Sequence, residues 1–146
     1  MGRPFKLEAV LDHRQYREDS ARQRLAEAAR THSAARTVLR RQEKIQHEYG
    51  RALRLKQNGS GCAVEILLYA RYLARLEDEI QDQRQVVRGH AREKEKRRRE
   101  LMACVKDRKA IEKLKERHLA EMDRQERDRE QKLLSDIAIS RYQRRN

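Results

Sequence analysis

Proline is almost missing from this 146-residue chain: the single one is Pro4. Glycine is scarce too, with five residues, two of them in the stretch Asn58-Gly59-Ser60-Gly61. Proline costs about 3 kcal/mol in a helix interior, and clustered glycines mark loops. Nothing between Phe5 and Asn146 therefore forces a helix to stop, except that one stretch. Aromatic residues make up 4% of the chain, with no Trp and one Phe. So few large apolar side chains cannot fill a globular core of ordinary thickness. No run approaches the roughly 18 apolar residues of a membrane-spanning helix. The N-terminus, Met1-Gly2-Arg3-Pro4-Phe5-Lys6, lacks the apolar core of a signal peptide. Lys6 also breaks the myristoylation pattern, which needs Ser or Thr there. Two cysteines, Cys62 and Cys104, are too far apart along a helical hairpin to be expected to pair. A reducing compartment suits them.

What the chain does have is charge. Asp, Glu, Lys and Arg form 42% of it, and 37 basic against 24 acidic residues leave a net charge of +13. Such a composition is either disordered or a long helix, and periodicity decides between the two. In the first half, Leu7, Leu11, Arg14, Glu18, Ala21, Leu25, Ala28, His32, Ala35, Leu39, Gln42, Gln46, Tyr49 and Leu53 follow the 4-3 spacing of a coiled-coil seam. In the second half the seam is Tyr69, Leu73, Leu76, Ile80, Gln83, Val87, His90, Lys94, Leu101, Cys104 and Ile111. The count is expected to slip after Ile111, where the apolar residues become Leu114, Leu119 and Met122. Acid-before-base pairs four residues apart, such as Glu93–Arg97 and Asp123–Arg127, add helix support.

The expected fold is all-α. Two long helices, at about 5–57 and 63–141, form an antiparallel coiled-coil hairpin about a turn at 58–61, as a single domain over 1–146. Folding about that turn places residue i opposite 119 minus i. The turn lies far from the chain midpoint, so the second helix is the longer. Residues from Lys115 onward are then expected to overhang without a partner in the chain, over roughly 48 Å. Leu119, Met122, Leu133, Leu134, Ile137, Ile139 and Tyr142 would stay uncovered there, and exposed apolar clusters flanked by charge mark contact sites. Pairing of two overhangs from two copies is the bland alternative.

Catalytic and cofactor motifs are absent. Gly59 and Gly61 lack the Lys-Ser/Thr of a phosphate-binding loop. His13, His32, His47, His90 and His118 are scattered, and neither cysteine has a CxxC partner. A two-helix hairpin offers no water-excluding pocket, so an enzyme is not expected, and neither is a cofactor or a metal. The excess positive charge favours an anionic partner: nucleic acid, an acidic membrane surface or an acidic protein. The run Arg92 to Glu100 holds six basic residues in nine. Three glutamates interrupt it, and neither a base-reading Asn nor stacking aromatics accompany it, which argues against nucleic acid.

Several local sequences resemble the flagellar export protein FliJ family. They are Phe5-Lys6-Leu7 with Val10-Leu11-Asp12-His13-Arg14, then Gln46-His47-Glu48-Tyr49, then Tyr69 to Leu76 (Tyr-Ala-Arg-Tyr-Leu-Ala-Arg-Leu). Arg108 to Glu116, Glu130-Gln131-Lys132 and Asp136-Ile137-Ala138 follow in the same order. The resemblance implies a non-enzymatic part of the flagellar type III export apparatus, cytoplasmic and peripheral to the inner face of the cell membrane. Family members resemble the central shaft of rotary ATPases. Their chain ends enter the pore of a hexameric export ATPase, their turn faces the cytoplasmic part of the export gate, and they escort export chaperones. Injectisome stalk proteins share this architecture and stay open as an alternative, as does a basic coiled coil that binds nucleic acid. Carried onto this chain, the gate patch is Ile45, Tyr49, Tyr72 and Leu76; Glu79 and Gln83 depart from the expected pattern at its edge. The ATPase-facing set is Leu119, Met122, Arg124, Arg127, Leu133, Ile137 and Tyr142, with Arg129 and Lys132 beside them.

Overall fold

The computed structural model describes residues 4–145. The chain forms α1 (Glu8–Leu55), a single wide turn of π-helical type (Lys56–Ser60) and α2 (Ala63–Arg145), with no strand among the described residues. The two helices pack antiparallel as a hairpin. Gly59 takes φ +150°, a value that glycine adopts without strain. Gly61 donates its N–H to the Lys56 carbonyl at 3.2 Å. A Cβ at Gly61 would lie 2.7 Å from the Lys56 Cβ, so the chain passes too closely for any side chain there. Lys56 Nζ and a Glu65 carboxylate oxygen close the turn at 2.9 Å. The first helix ends two residues earlier than its periodicity suggests, because the chain loosens into the wide turn at Lys56. At the other end α2 continues past residue 141.

Contacts divide the chain into two units, where the sequence alone suggests a single domain over 1–146. One comprises Ser20–Leu101, with the turn and the adjoining parts of both helices. The other brings residues 1–19 together with 102–146.

In the Ser20–Leu101 unit, buried positions fall on the expected seam. Ala21, Ala35, Leu76 and Ile80 are buried, and Ile80 is fully enclosed. Alanines in one row let the facing backbone come close, so Leu and Ile of the other row fill the gap. Polar seam residues reach across: Gln83 donates to the Ala35 carbonyl at 3.0 Å, and Gln46 to a Glu77 carboxylate. In the other unit, Leu11 and Ile111 are buried together with Glu18, which exposes only 3% of its surface. Glu18 accepts a charge-assisted bond from Arg108, whose guanidinium also reaches Glu112 at 2.6 Å. Arg14–Asp107 at 3.3 Å and Lys115–Glu8 at 2.9 Å flank them.

Two expectations are corrected here. The seam does not slip after Ile111. Cys104, Arg108, Ile111, Lys115, His118 and Met122 all stay partly or wholly covered, at unbroken 4-3 spacing. Charged and polar side chains occupy the seam there, so an apolar count reads as a break. Leu114 and Leu119 are exposed and lie off it. The register is also shifted. Phe5 meets His118, Glu8 meets Lys115, Lys56 meets Glu65 and Glu43 meets Arg84, so contacting pairs across the helices add mostly to 121–127, centred near 122 and not on 119. The wide turn moves the centre of the hairpin to the Gly61 end of the Asn58–Gly61 stretch. The overhang accordingly starts after His118, not at Lys115.

The seam yields a direct comparison. Ile80→Ala should destabilise the fold by about 2–5 kcal/mol, whereas Leu114→Ala should change it by no more than about 0.5 kcal/mol. Urea unfolding followed by circular dichroism measures both, and equal losses would contradict this seam.

Candidate interaction surfaces

Beside the turn, three of the chain's five tyrosines come together. The Tyr49 ring lies 5.5 Å from that of Tyr69 and 4.8 Å from that of Tyr72, both tilted. Tyr69 and Tyr72 sit three residues apart on α2, so both rings rise on one side of that helix. Tyr49 comes from α1 and bridges them. Cations complete the group: Lys56 Nζ lies 5.2 Å from the Tyr69 ring centre, and the Arg75 guanidinium 5.7 Å from that of Tyr72. A cation over an aromatic face is held by the ring quadrupole. The hydrogen bond from Lys56 to Glu65 raises the Lys56 pKa, so this cation is firmly charged. Just along the seam, hydrogen bonds from Gln81 and then Gln46 hold the Glu77 carboxyl below its usual range.

Among the four residues expected at a gate patch, Tyr49 is exposed, Ile45 and Tyr72 are half-buried, and Leu76 exposes 4% of its surface. Leu76 is thus a seam residue under the patch. Tyr69 is the member that sequence reasoning assigned to the seam. Its three-residue spacing from Tyr72, combined with the correct register, would have revealed the ring cluster.

In the other unit, the Phe5 ring lies 5.7 Å from the His118 ring, the furthest ring contact along α2 among the described residues. Beyond it α2 continues to Arg145 and every residue but Met122 is exposed. Exposure of the large apolar side chains runs from 41% at Ile137 to 71% at Tyr142, with Leu119, Leu133, Leu134 and Ile139 between. Leu119, Met122, Leu133 and Ile137 share one side at helical spacing, whereas Ile139 points away from it. Leu134, Ile137, Ala138, Arg141 and Tyr142 line a shallow cleft along the terminal turns. Arg127 is ion-paired with Asp123, and Arg124 is exposed. The arrangement is a bare amphipathic helix: it can insert into a groove or pore, and it cannot enclose a small molecule.

No group of three or more His, Cys, Asp or Glu among the described residues is placed to hold a metal ion. Cys62 is exposed and Cys104 half-covered, both as free thiols. No helix among the described residues is long and apolar enough to cross a membrane.

The fold is thus of the antiparallel helical-hairpin class, with an aromatic patch by its turn and exposed apolar side chains along the last part of α2. Residues 3–146 match the protein family described as flagellar FliJ protein, and the chain belongs to this FliJ family, of stalk-type proteins of the type III export apparatus. In structure it is similar to CT670 of Chlamydia trachomatis, described as a YscO homologue. That match has a TM-score of 0.67 at 21% identity and covers 97% of this chain and 96% of the other. No curated protein matches the sequence.

The seam histidine His32 carries its own pH signature. Desolvation by its neighbours lowers its pKa below the ordinary 6.5, and the charges of Lys94, Arg36 and His90 lower it further. A depressed pKa means that the unfolded chain takes up the proton first. Stability should therefore be steady above pH 6.5 and fall as pH drops below it. Thermal melts across that range should show the decline, and His32→Gln should flatten it.

Proposed function

We propose that this protein is the central stalk of a flagellar type III export apparatus, joining the hexameric export ATPase to the cytoplasmic part of the export gate. The observation that carries this reading is the uncovered apolar stretch of α2 beyond His118. Side chains such as Leu133, Ile137 and Tyr142 are held on a formed helix and are exposed. Hydrophobic surface of this kind, flanked by charge, is what a partner covers. A ring pore suits it, because a single helix is narrow enough to be gripped from all sides. Leu119, Met122, Leu133, Ile137 and Tyr142 would supply the apolar contacts there. Arg124 and Arg127 would face acidic side chains of the pore.

The tyrosine cluster would dock the gate. Tyrosines and arginines are favoured interface anchors, and Tyr49, Tyr72 and Arg75 present them at one place. Ile45 borders the cluster, and Leu76 supports it from the seam. Escort of export chaperones would use the flanking helical faces. The protein would act in the cytoplasm, at the inner face of the membrane, by binding alone.

Deleting residues 120–146 should abolish binding to the export ATPase in pull-down and its stimulation in turnover assays. Helicity and melting of the Ser20–Leu101 unit should persist. Undiminished ATPase stimulation by the truncated protein would refute the ATPase docking. For the gate, Tyr72→Ala should weaken binding to its cytoplasmic part by about 30-fold, the effect of losing an interface anchor. Its stability cost should stay within about 1 kcal/mol. A large stability loss with unchanged affinity would return Tyr72 to the packing.

A further inference from the structure

Positive charge is unevenly distributed along the chain. Residues 22–41 and 81–101, all within the Ser20–Leu101 unit, hold 14 Lys and Arg against 5 Asp and Glu, a net +9 of the chain's +13. The few acids here are largely taken up by near neighbours: Glu93 and Glu100 bind Arg97, and Glu95 binds Arg98 and Arg99. Hydrogen bonding from Arg98 holds Glu95 down to about 2, so it stays ionised. No ion pair is described for Arg36, Arg40, Arg88 or Arg92, and all four are exposed.

The excess is also one-sided. Glu43 of α1 and Arg84 of α2 meet at 3.3 Å, so the flanks that carry them lie on one side of the seam. Residues at whole heptads from Glu43 share its flank, and these are Arg36, Ala29 and Arg22. From Arg84 the same step leads to Ala91 and Arg98. Arg40 and Arg88, four residues on from Arg36 and Arg84, widen the stripe. On the opposite flank α2 presents Val86, Glu93 and Glu100 at the heptad spacing, and α1 presents Arg24, Thr31 and Val38. One side of this unit is therefore strongly basic, and the other close to neutral. The field reaches the seam, where Lys94 and Arg36 help to disfavour protonation of His32.

We propose that this basic flank, with Arg22, Arg36, Arg40, Arg84, Arg88 and Arg98, lies against an anionic lipid bilayer surface. Three features select that occupant. Residues 22–41 and 81–101 contain no Phe, Tyr or Trp, so the flank lacks the aromatic anchors that organise a protein interface. The arginines span about 20 residues of each helix, roughly 30 Å, which suits a broad planar surface more than a pocket. Glutamates stand among them, and a bilayer tolerates these because anionic lipids gather under the arginines while neutral ones face the acids. A nucleic acid duplex, with one phosphate charge per about 1.7 Å of axis, has no such freedom. Nothing apolar is placed to insert, so the contact is electrostatic and side-on, in keeping with the lack of a membrane-spanning helix.

Co-sedimentation of the full chain with vesicles tests this. Phosphatidylcholine vesicles containing phosphatidylglycerol should retain the protein at low salt and release it as salt rises. Vesicles of phosphatidylcholine alone should not retain it. The triple variant Arg36→Gln, Arg40→Gln, Arg88→Gln should lower the partition by about 10- to 100-fold, at near-native helicity. Arg124→Gln, Arg127→Gln, Arg129→Gln removes the same charge from the C-terminal stretch and should leave partition within about twofold. Equal losses in the two variants would overturn the assignment to this flank. Equal retention by both vesicle types would overturn it as well, and so would preferential binding to a short DNA duplex that displaces the vesicles at the same salt.

Discussion

Two helices have only one face in common, and the buried side chains of this protein lie on it. Leu11, Glu18, Ala21, Ala35, Leu76, Ile80 and Ile111 are all seam positions. Among the described residues there is no second layer to support an error in the first. A hairpin so thin is held by small residues that let the helices approach and by a few large ones that fill what is left. Its stability depends on continuity along the seam more than on any local concentration of apolar groups.

That constraint explains the polar side chains within the seam. In the unit that contains the chain termini, Arg14, Glu18, Arg108 and Lys115 occupy seam positions, and they form ion pairs across it. A carboxylate taken out of water is costly unless it is hydrogen-bonded and paired, and Glu18 meets both conditions through Arg108. Such pairs tolerate little sliding of one helix along the other. They therefore select a register in a segment where leucines alone would allow several. Elsewhere the same chain turns its charges outward, so acids and bases settle partly into pairs along one helix and partly into a stripe where arginines outnumber glutamates.

The fold was legible because its signals were plain: one permitted break, a 4-3 spacing and long charged flanks. Family membership was legible from short motifs in the right order. The register was not, since its error of a few residues lay in the turn. There the chain widens through Lys56–Ser60 and makes its close pass at Gly61, a geometry that sequence symmetry does not reveal. The same error hid Glu18–Arg108, because the expected register placed Leu101 opposite Glu18. An apolar count likewise misread Leu114 as part of the seam, when Ile111, Lys115 and His118 carry it on. For the interaction surfaces, the bare terminal helix followed from counting outward from the turn. The Tyr49–Tyr69–Tyr72 cluster needed the two helices in place, because Tyr49 lies 20 or more residues from Tyr69 and Tyr72 in sequence.

The stretch of α2 beyond His118 is helical although all its described residues but Met122 are exposed, and its early turns are braced by the Arg127–Asp123 pair. A segment ordered before it meets a partner has already lost most of the conformational entropy that association would otherwise remove. In the proposed docking, its affinity would therefore be coupled to its own helix content. Residues on its outward side, far from any contact, become determinants of binding through preorganisation. A glycine there acts at a distance, by making the partner order what the free protein now holds ready.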